Sequence, residues 1–459
     1  MTTTAFVPLL QEAAPVVQGG DTAWLLVSTA LVLLMVPGLA CFYGGLARGR
    51  AVLNTMLMCV IGLAIMSVLW VTVGYSLAFA PGSAWIGGLQ WVGMQGVGAA
   101  PNPTYSANVP HLLFAAFQMM FAGITVGLIS GAVVERMRFP AFALFAALWG
   151  TFVYLPLAHW VWADGGWLRT LGALDFAGGT VVHISAGVSA FLLAKLIGPR
   201  HDFGRAAILP HNVPLTLLGT GLLWFGWFGF NAGSALAADG VAANAAVTTH
   251  VAAAAAVLTW MLIERLRNGH ATAVGAATGA VAGLVAITPA AGFVTPLGAL
   301  ALGAIGAASS FLAIQWRPRS RIDDALDVFA CHGVAGIVGA VCTGVVATTS
   351  VNALGADGLL YGGGLGLLAV QIAAVLATVV FVCVATPVLL AVVKAVTPLR
   401  VPLADELGGI DGVEHSEEAY HGGGLAEFAS PALTLSQRVV LPADEFYGAR
   451  PAPRPAAGS

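Results

Sequence analysis

The sequence predicts an all-α polytopic membrane protein of eleven transmembrane helices, on three observations. Only 8% of the 459 residues are charged and 58% are hydrophobic, whereas ordinary soluble domains carry about 25% charge. Apolar runs of about 20 residues recur along the chain, each long enough to cross a hydrocarbon core. Lys and Arg gather at alternate ends of those runs. The net charge of −3 comes with no basic patch interleaved with aromatics, so nucleic acid is not an expected partner. The five Cys lie in apolar segments without Cys-x-x-Cys spacing and read as small core residues, not as disulfides or a metal site.

In chain order, residues 1–22 carry no Lys or Arg before a short apolar patch. That gives little support to a cleaved signal peptide, and the segment reads as extracellular. Spans one and two (23–45 and 52–80) flank Arg48 and Arg50. The stretch 81–110 is nearly uncharged and holds Trp85, Trp91 and Tyr105, as an interfacial hairpin would. Span three (111–134) puts Phe117 and Phe121 on one helix face. Span four (139–162) ends at Trp162, and span five (175–197) begins at Asp175. Span six (213–236) aligns Trp227, Phe230 and Ser234 at i, i+3 and i+7. The remaining spans are 244–265, 271–288, 293–314, 328–350 and 364–395. Their Gly- and Ala-rich interiors suit close helix approach in lipid. The positive-inside rule, read from residues such as Arg48, Arg136, Arg200, Arg265, Arg317 and Lys394, puts the N-terminus outside and the C-terminus in the cytoplasm. Up to Arg400, Arg169 is the single exception.

Two stretches organise the chain. Asp175-Phe-Ala-Gly-Gly-Thr-Val-Val-His183-Ile-Ser-Ala-Gly187 and Asp324-Ala-Leu-Asp327-Val-Phe-Ala-Cys-His332-Gly-Val-Ala-Gly336 each carry Asp and His eight residues apart. If helical throughout, they place each His roughly 12 Å from its Asp. Span five runs inward and span ten outward, so both His fall near mid-membrane in opposite frames. Spans one to five and six to ten therefore form an inverted repeat with its site at the interface, and span eleven straps the halves. Buried ionisable groups are costly in lipid, so two His at matched depth point to a pore. Aromatic faces at Phe121, Trp162 and Trp227–Phe230, with the Ser234 hydroxyl, suit a small cation that donates hydrogen bonds. Taken singly, Trp162 is also explained as an interfacial anchor, and Asp175 and Asp324 as helix N-terminal caps.

These residues resemble the signature of the ammonium transporter family (Amt/Mep/Rh). The likeness extends through Pro37-Gly38, Phe42-Tyr-Gly-Gly-Leu46, Ala116-Phe-Gln118 with Phe121, Thr125-Val-Gly127, Glu135-Arg136, Gly226-Trp-Phe-Gly-Phe-Asn-Ala-Gly-Ser234, and Asp327-Val-Phe329 with His332-Gly333. It covers the chain to about residue 421 and favours the bacterial Amt branch. The resemblance implies the ammonium transporter fold in a homotrimer, one pore per subunit, in the plasma membrane, with no cofactor, no metal and no enzymatic activity. It implies that Phe121, Trp162 and Ser234 recruit ammonium, with Asp175 supporting the site. Phe121 and Phe230 would form a gate, and His183, His332 and Trp227 would line the pore that passes ammonia.

The expected division is an extracellular segment 1–22, a transporter domain 23–399, a regulatory region 400–424, and a disordered tail 425–459. Nine acidic residues follow Arg400. The run Gly409–Tyr420 resembles the family's regulatory C-terminus, which meets a PII-type nitrogen-signalling protein; Ser416 stands where Gly is usual. Two other function classes remain open on sequence alone. One is an ammonium sensor acting through that tail, and the other is an intramembrane metal enzyme using the His and Asp residues.

Overall fold

The computed structural model describes residues 16–420. The expectations for residues 1–15 and for the chain from 421 onward lie outside the described residues. Among the described residues, ten helices are long and apolar enough to cross a membrane. They are α1 (Gly19–Leu46), α2 (Val52–Phe79), α3 (His111–Ala132), α4 (Phe139–Leu171), α5 (Gly179–Ile197), α6 (Val213–Ala235), α7 (Gly240–Asn268), and, beyond a shorter eighth helix, α9 (Pro296–Ser320), α10 (Phe329–Val346) and α11 (Gly366–Val396). That eighth helix is α8 (Ala273–Ile287), which has 15 residues and is shorter than expected. It is buried almost throughout between α7 and α9, and the chain stays buried through the turns at 288–294.

The boundaries differ most where polar chemistry intervenes. The first helix begins at Gly19, before the expected residue 23. The fifth begins at Gly179 and not at Asp175, because Asp175 lies ahead of the helix and caps it. The stretch 81–110 forms a two-stranded antiparallel ribbon, β1 (Pro101–Asn102) and β2 (Ser106–Pro110). Tyr105 stacks on Phe114 at 4.7 Å, which holds the ribbon over the helix ends.

Glycines set the helix crossings. A Cβ on Gly38 would press Leu222 at 3.0 Å, and one on Gly229 would meet Ser28 at 2.7 Å. These two contacts run in opposite senses along α1 and α6, so the helices are antiparallel. On α5 and α10, Gly187 abuts Gly333, and a Cβ on Gly336 would lie 3.2 Å from both the Gly179 carbonyl and His183 Cβ, again antiparallel. Both equivalent pairs are therefore inverted, as a two-fold axis in the membrane plane requires. Gln371 of α11 bridges the halves. Its amide accepts from Leu174 N (2.8 Å) and donates to the carbonyls of Leu174 (2.8 Å) and Ala340 (3.0 Å).

At the Arg-rich end, charges are buried only in a closed network. Arg200 Nε and Nη2 donate to Asp323 at 2.8 Å each, and Arg136, fully buried, donates to the Asp323 carbonyl at 2.5 Å. Arg48 pairs with Glu135 and, at 2.7 Å, with Asp202. The C-terminal segment docks on this face as α12 (Leu403–Gly408) and α13 (Ile410–His415). Asp411 accepts from Leu53 N (3.0 Å) and Asn54 N (2.8 Å), capping α2 with a negative charge at its positive end. Glu414 pairs with Arg138 at 3.1 Å. Glu417 and Glu418 are exposed, and Arg48 and Arg136 are already engaged elsewhere, so the tail docks through fewer ion pairs than its charge suggests.

Burial alone would raise the Asp323 carboxyl, but Arg200 pulls it below the usual range. The folded pKa is depressed, so this contribution is intact above the unfolded value of about 3.9 and is lost as pH falls below it. Asp323→Leu should cost about 3–5 kcal/mol by leaving buried Arg136 without a carboxylate and Arg200 with Glu135 alone. Thermal unfolding in detergent at pH 7 reads this. A midpoint equal to the native one would mean that the network contributes nothing to stability.

Candidate functional site

The site grows from Asp175. Its carboxylate accepts four amides of the following turn: Gly178 N (2.9 Å), Gly179 N (2.6 Å), Thr180 N (2.8 Å) and Val181 N (3.2 Å). Those amides open a π-helical turn, Gly179–Ile184, that carries His183. Asp324 acts alike, accepting from Phe329 N at 2.7 Å at the start of the π turn Phe329–Val334, which carries His332. A third π turn, Phe228–Ala232, carries Phe230. Single π turns are frequent at functional sites, though two others, Trp70–Gly74 and Gly150–Tyr154, carry none of the expected site residues.

The rings among the expected site residues come together in a continuous run of contacts. Trp162 lies edge-on to Phe121 at 5.9 Å, and its indole donates to the Asp175 carbonyl at 3.0 Å. Phe121 stacks on Phe230 at 4.3 Å and 28°. Phe230 stacks on His183 at 5.9 Å, and His183 on His332 at 5.3 Å. The two imidazoles meet through Nδ1···Nδ1 at 3.3 Å, so one ring donates and the other accepts. Trp227 packs parallel to His183 at 5.5 Å and is fixed by its Nε1 donating to Thr288 Oγ1 (2.9 Å). Ser234 Oγ donates to the Phe230 carbonyl at 2.8 Å, which leaves its lone pairs to accept.

Below the stacked Phe pair, a narrow apolar cavity is lined by Leu39, Ile124, Val182, Trp227 and both His. His183 and His332 are almost wholly buried, and His183 Nε2 has no protein partner. An orphaned imidazole nitrogen in an apolar cavity is costly unless a small polar guest completes it. Among the described residues, no three His, Cys, Asp or Glu are grouped to hold a metal.

The matched model is that of the Ammonium Transporter Family, over residues 23–420. The chain belongs to the ammonium transporter family. An ammonium transporter of Bacillus subtilis (strain 168) is 51% identical over 404 residues, which cover 88% of this chain and 99% of that protein. The ammonium transporter Amt1 of Archaeoglobus fulgidus is 46% identical, covering 87% and 99%. The crystal structure of Saccharomyces cerevisiae Mep2 superposes with a TM-score of 0.79 at 36% identity, covering 84% of this chain and 88% of that one. A sensor Amt protein reaches 0.80 at 29% identity, covering 86% and 98%.

Two positioning residues of this family member escaped the sequence reading. Gln371 is a lone amide in an apolar span, and such a residue in lipid signals a partner. Thr288 carried no such signal, since it lies in a turn and its role depends on where Trp227 falls.

Asp175→Ala removes all four amide bonds of the cap. Bonds to a charged acceptor contribute about 1.5–3 kcal/mol each and are not additive; a loss of roughly 3 kcal/mol is expected. The variant should unfold at lower temperature in detergent, and Asp175→Asn should fall between it and the native protein. If Asp175→Ala unfolds with the native midpoint, the carboxylate does not hold the π turn.

Proposed function

We propose that this protein carries ammonium across the plasma membrane, recruiting the cation at Trp162, Phe121 and Ser234 and passing ammonia along His183 and His332. The observation that carries the reading is the unbroken run of ring contacts from Trp162 to His332 above and beside an apolar cavity. Family membership supports ammonium as substrate and transport, not catalysis, as the activity.

The chemistry follows from selecting ammonium over potassium, an ion of similar size. A filter of carbonyls replaces a hydration shell, whereas an apolar pore does not. An unrelieved charge in that cavity is heavily penalised. Ammonium can shed a proton and continue as ammonia; potassium cannot. Aromatic faces attract the cation at the mouth, and the Ser234 oxygen accepts one of its N–H bonds. The Phe121–Phe230 pair then separates the wet mouth from the dry section. Past it, a neutral guest finds His183 Nε2 free to bond. The Nδ1···Nδ1 contact between the rings admits a proton on either side, which is the arrangement a relay needs. Asp175 supports the mouth through its carbonyl on Trp162.

The reading includes an outside N-terminus and a cytoplasmic Arg-rich face, as the charge distribution implies. It includes a homotrimer and a PII-type partner at the docked tail. Transport is favoured over a primarily sensory role because the relatives at 46–51% identity are named transporters, while the sensor protein is more distant at 29%.

Labelled methylammonium uptake and ammonium-evoked current at matched expression test this. Trp162→Leu removes one cation–π contact worth about 1–2 kcal/mol, so half-saturation should rise roughly fivefold to thirtyfold with maximal flux little reduced. Trp162→Phe should recover most of that affinity. Ser234→Ala should act in the same sense but more weakly, as a neutral hydrogen bond contributes about 0.5–1.5 kcal/mol. His183→Ala and His332→Ala should sharply reduce flux or selectivity. Full, selective transport in both Ala variants would remove the His pair from the pathway.

Deleting 401–459 should lower transport by stripping Asp411 from the start of α2 and Glu414 from Arg138. Asp411→Ala in the full chain should reproduce part of that loss. Unchanged uptake in both would mean the docked segment exerts no control over the pore.

A further inference from the structure

Up to Arg400, Arg169 is the one Lys or Arg that stands at the end opposite the Arg-rich face. A cation there works against the charge bias that orients the helices, so its position calls for a cause.

Helix α4 breaks after Trp162 and resumes as a short run, Trp167–Leu171. That run is firmly held. Trp167 N donates to the Ala84 carbonyl at 3.2 Å, its indole packs on Trp85 at 5.5 Å and on Trp160 at 5.7 Å, and Leu168 is buried. Arg169 is exposed, but its Nη1 donates to the Trp162 carbonyl at 2.5 Å. Trp162 is thus fixed twice, by Arg169 at its carbonyl and by the Asp175 carbonyl at its indole. Among the described residues, Arg169 forms no ion pair with an acidic side chain. Asp164, in the intervening turn, is exposed, and the Asp175 carboxylate is taken up by four amides.

A neutral donor would satisfy the Trp162 carbonyl as well. What the guanidinium adds is a fixed positive charge beside a ring that attracts cations. We propose that Arg169 is a specificity-determining residue of the mouth, admitting singly charged ammonium and rejecting doubly charged organic amines. The inference rests on the reading of Trp162 as a recruiting ring. A cation over that indole sits roughly 10 Å from the guanidinium, within a Debye length at low salt. Repulsion at that distance weakens binding of a single charge about twofold to fourfold, in a medium between water and protein. A dication feels up to twice the repulsion, so the factor enters up to its square. The charge therefore lowers ammonium affinity and discriminates in return, as a repulsive element built against a competitor does.

The test is methylammonium uptake into proteoliposomes of the full chain, with propane-1,3-diammonium as competitor, at about 10 mM and about 1 M ionic strength. At low salt, Arg169→Gln should lower the half-saturation constant about twofold to fourfold. Inhibition by the diammonium should strengthen by more than that factor. At about 1 M salt, where the Debye length is about 3 Å, both effects should vanish. Arg169→Lys should keep native values, and Asp164→Asn should act in the opposite sense to Arg169→Gln. Trp162→Leu, measured alongside, separates the two claims. If it raises half-saturation while Arg169→Gln changes neither constant, recruitment at Trp162 stands and the role of Arg169 is overturned. If Trp162→Leu leaves half-saturation unchanged, both fall. An Arg169→Gln shift that persists undiminished at high salt also overturns the proposal, because it reports a displaced Trp162 and not a lost charge.

Discussion

The structure depends on one carboxylate, that of Asp175. A helix that begins inside a membrane protein exposes amides that lipid cannot satisfy. Asp175 accepts four of them at once, and its own carbonyl receives the indole of Trp162. A single residue thus starts the turn that aims His183 and fixes the ring at the mouth. Gln371 holds the preceding residue by both N–H and C=O, so the cap is anchored from the eleventh helix. The mouth and the pore are built from one connected piece of hydrogen bonding.

The second constraint is close approach. Two imidazoles can meet across antiparallel helices only if the backbones nearly touch. The glycine four residues after each His provides this: Gly187 lies against Gly333, and Gly336 against Gly179. Nothing in lipid drives helices together by hydrophobicity, so small residues and interhelical bonds carry the association. The same economy appears between α1 and α6, where Gly38 and Gly229 let equivalent helices of the two halves cross. Repeat symmetry and pore geometry are thereby one feature of the chain.

Much of this was legible in the residues. Apolar length and alternating Arg placement set the helix order, because the membrane imposes both. The Asp–His spacing located the centre, and helical periodicity grouped Trp227, Phe230 and Ser234. What escaped was local. The capping role of Asp175 is legible in the sequence, but the boundary is not: the carboxylate lies ahead of the helix, which starts at Gly179. The π turns carrying both His follow no residue pattern, since they answer to packing between halves. The acids of the tail are plain in the sequence, but which arginines are open to them is not: Arg138 meets Glu414, whereas Arg48 and Arg136 do not meet the tail. Glu135, Asp202 and Asp323, distant in sequence, already occupy those guanidiniums.

The central claim is that the dry section passes what can shed a proton and stops what cannot. Purified protein in potassium-impermeable liposomes, challenged in turn with ammonium, methylammonium, potassium and tetramethylammonium, tests it most directly by flux. The account predicts ammonium and methylammonium transport, with potassium and tetramethylammonium at the level of protein-free liposomes. Potassium or tetramethylammonium flux comparable to that of ammonium would contradict it, because neither ion can lose a proton at the gate.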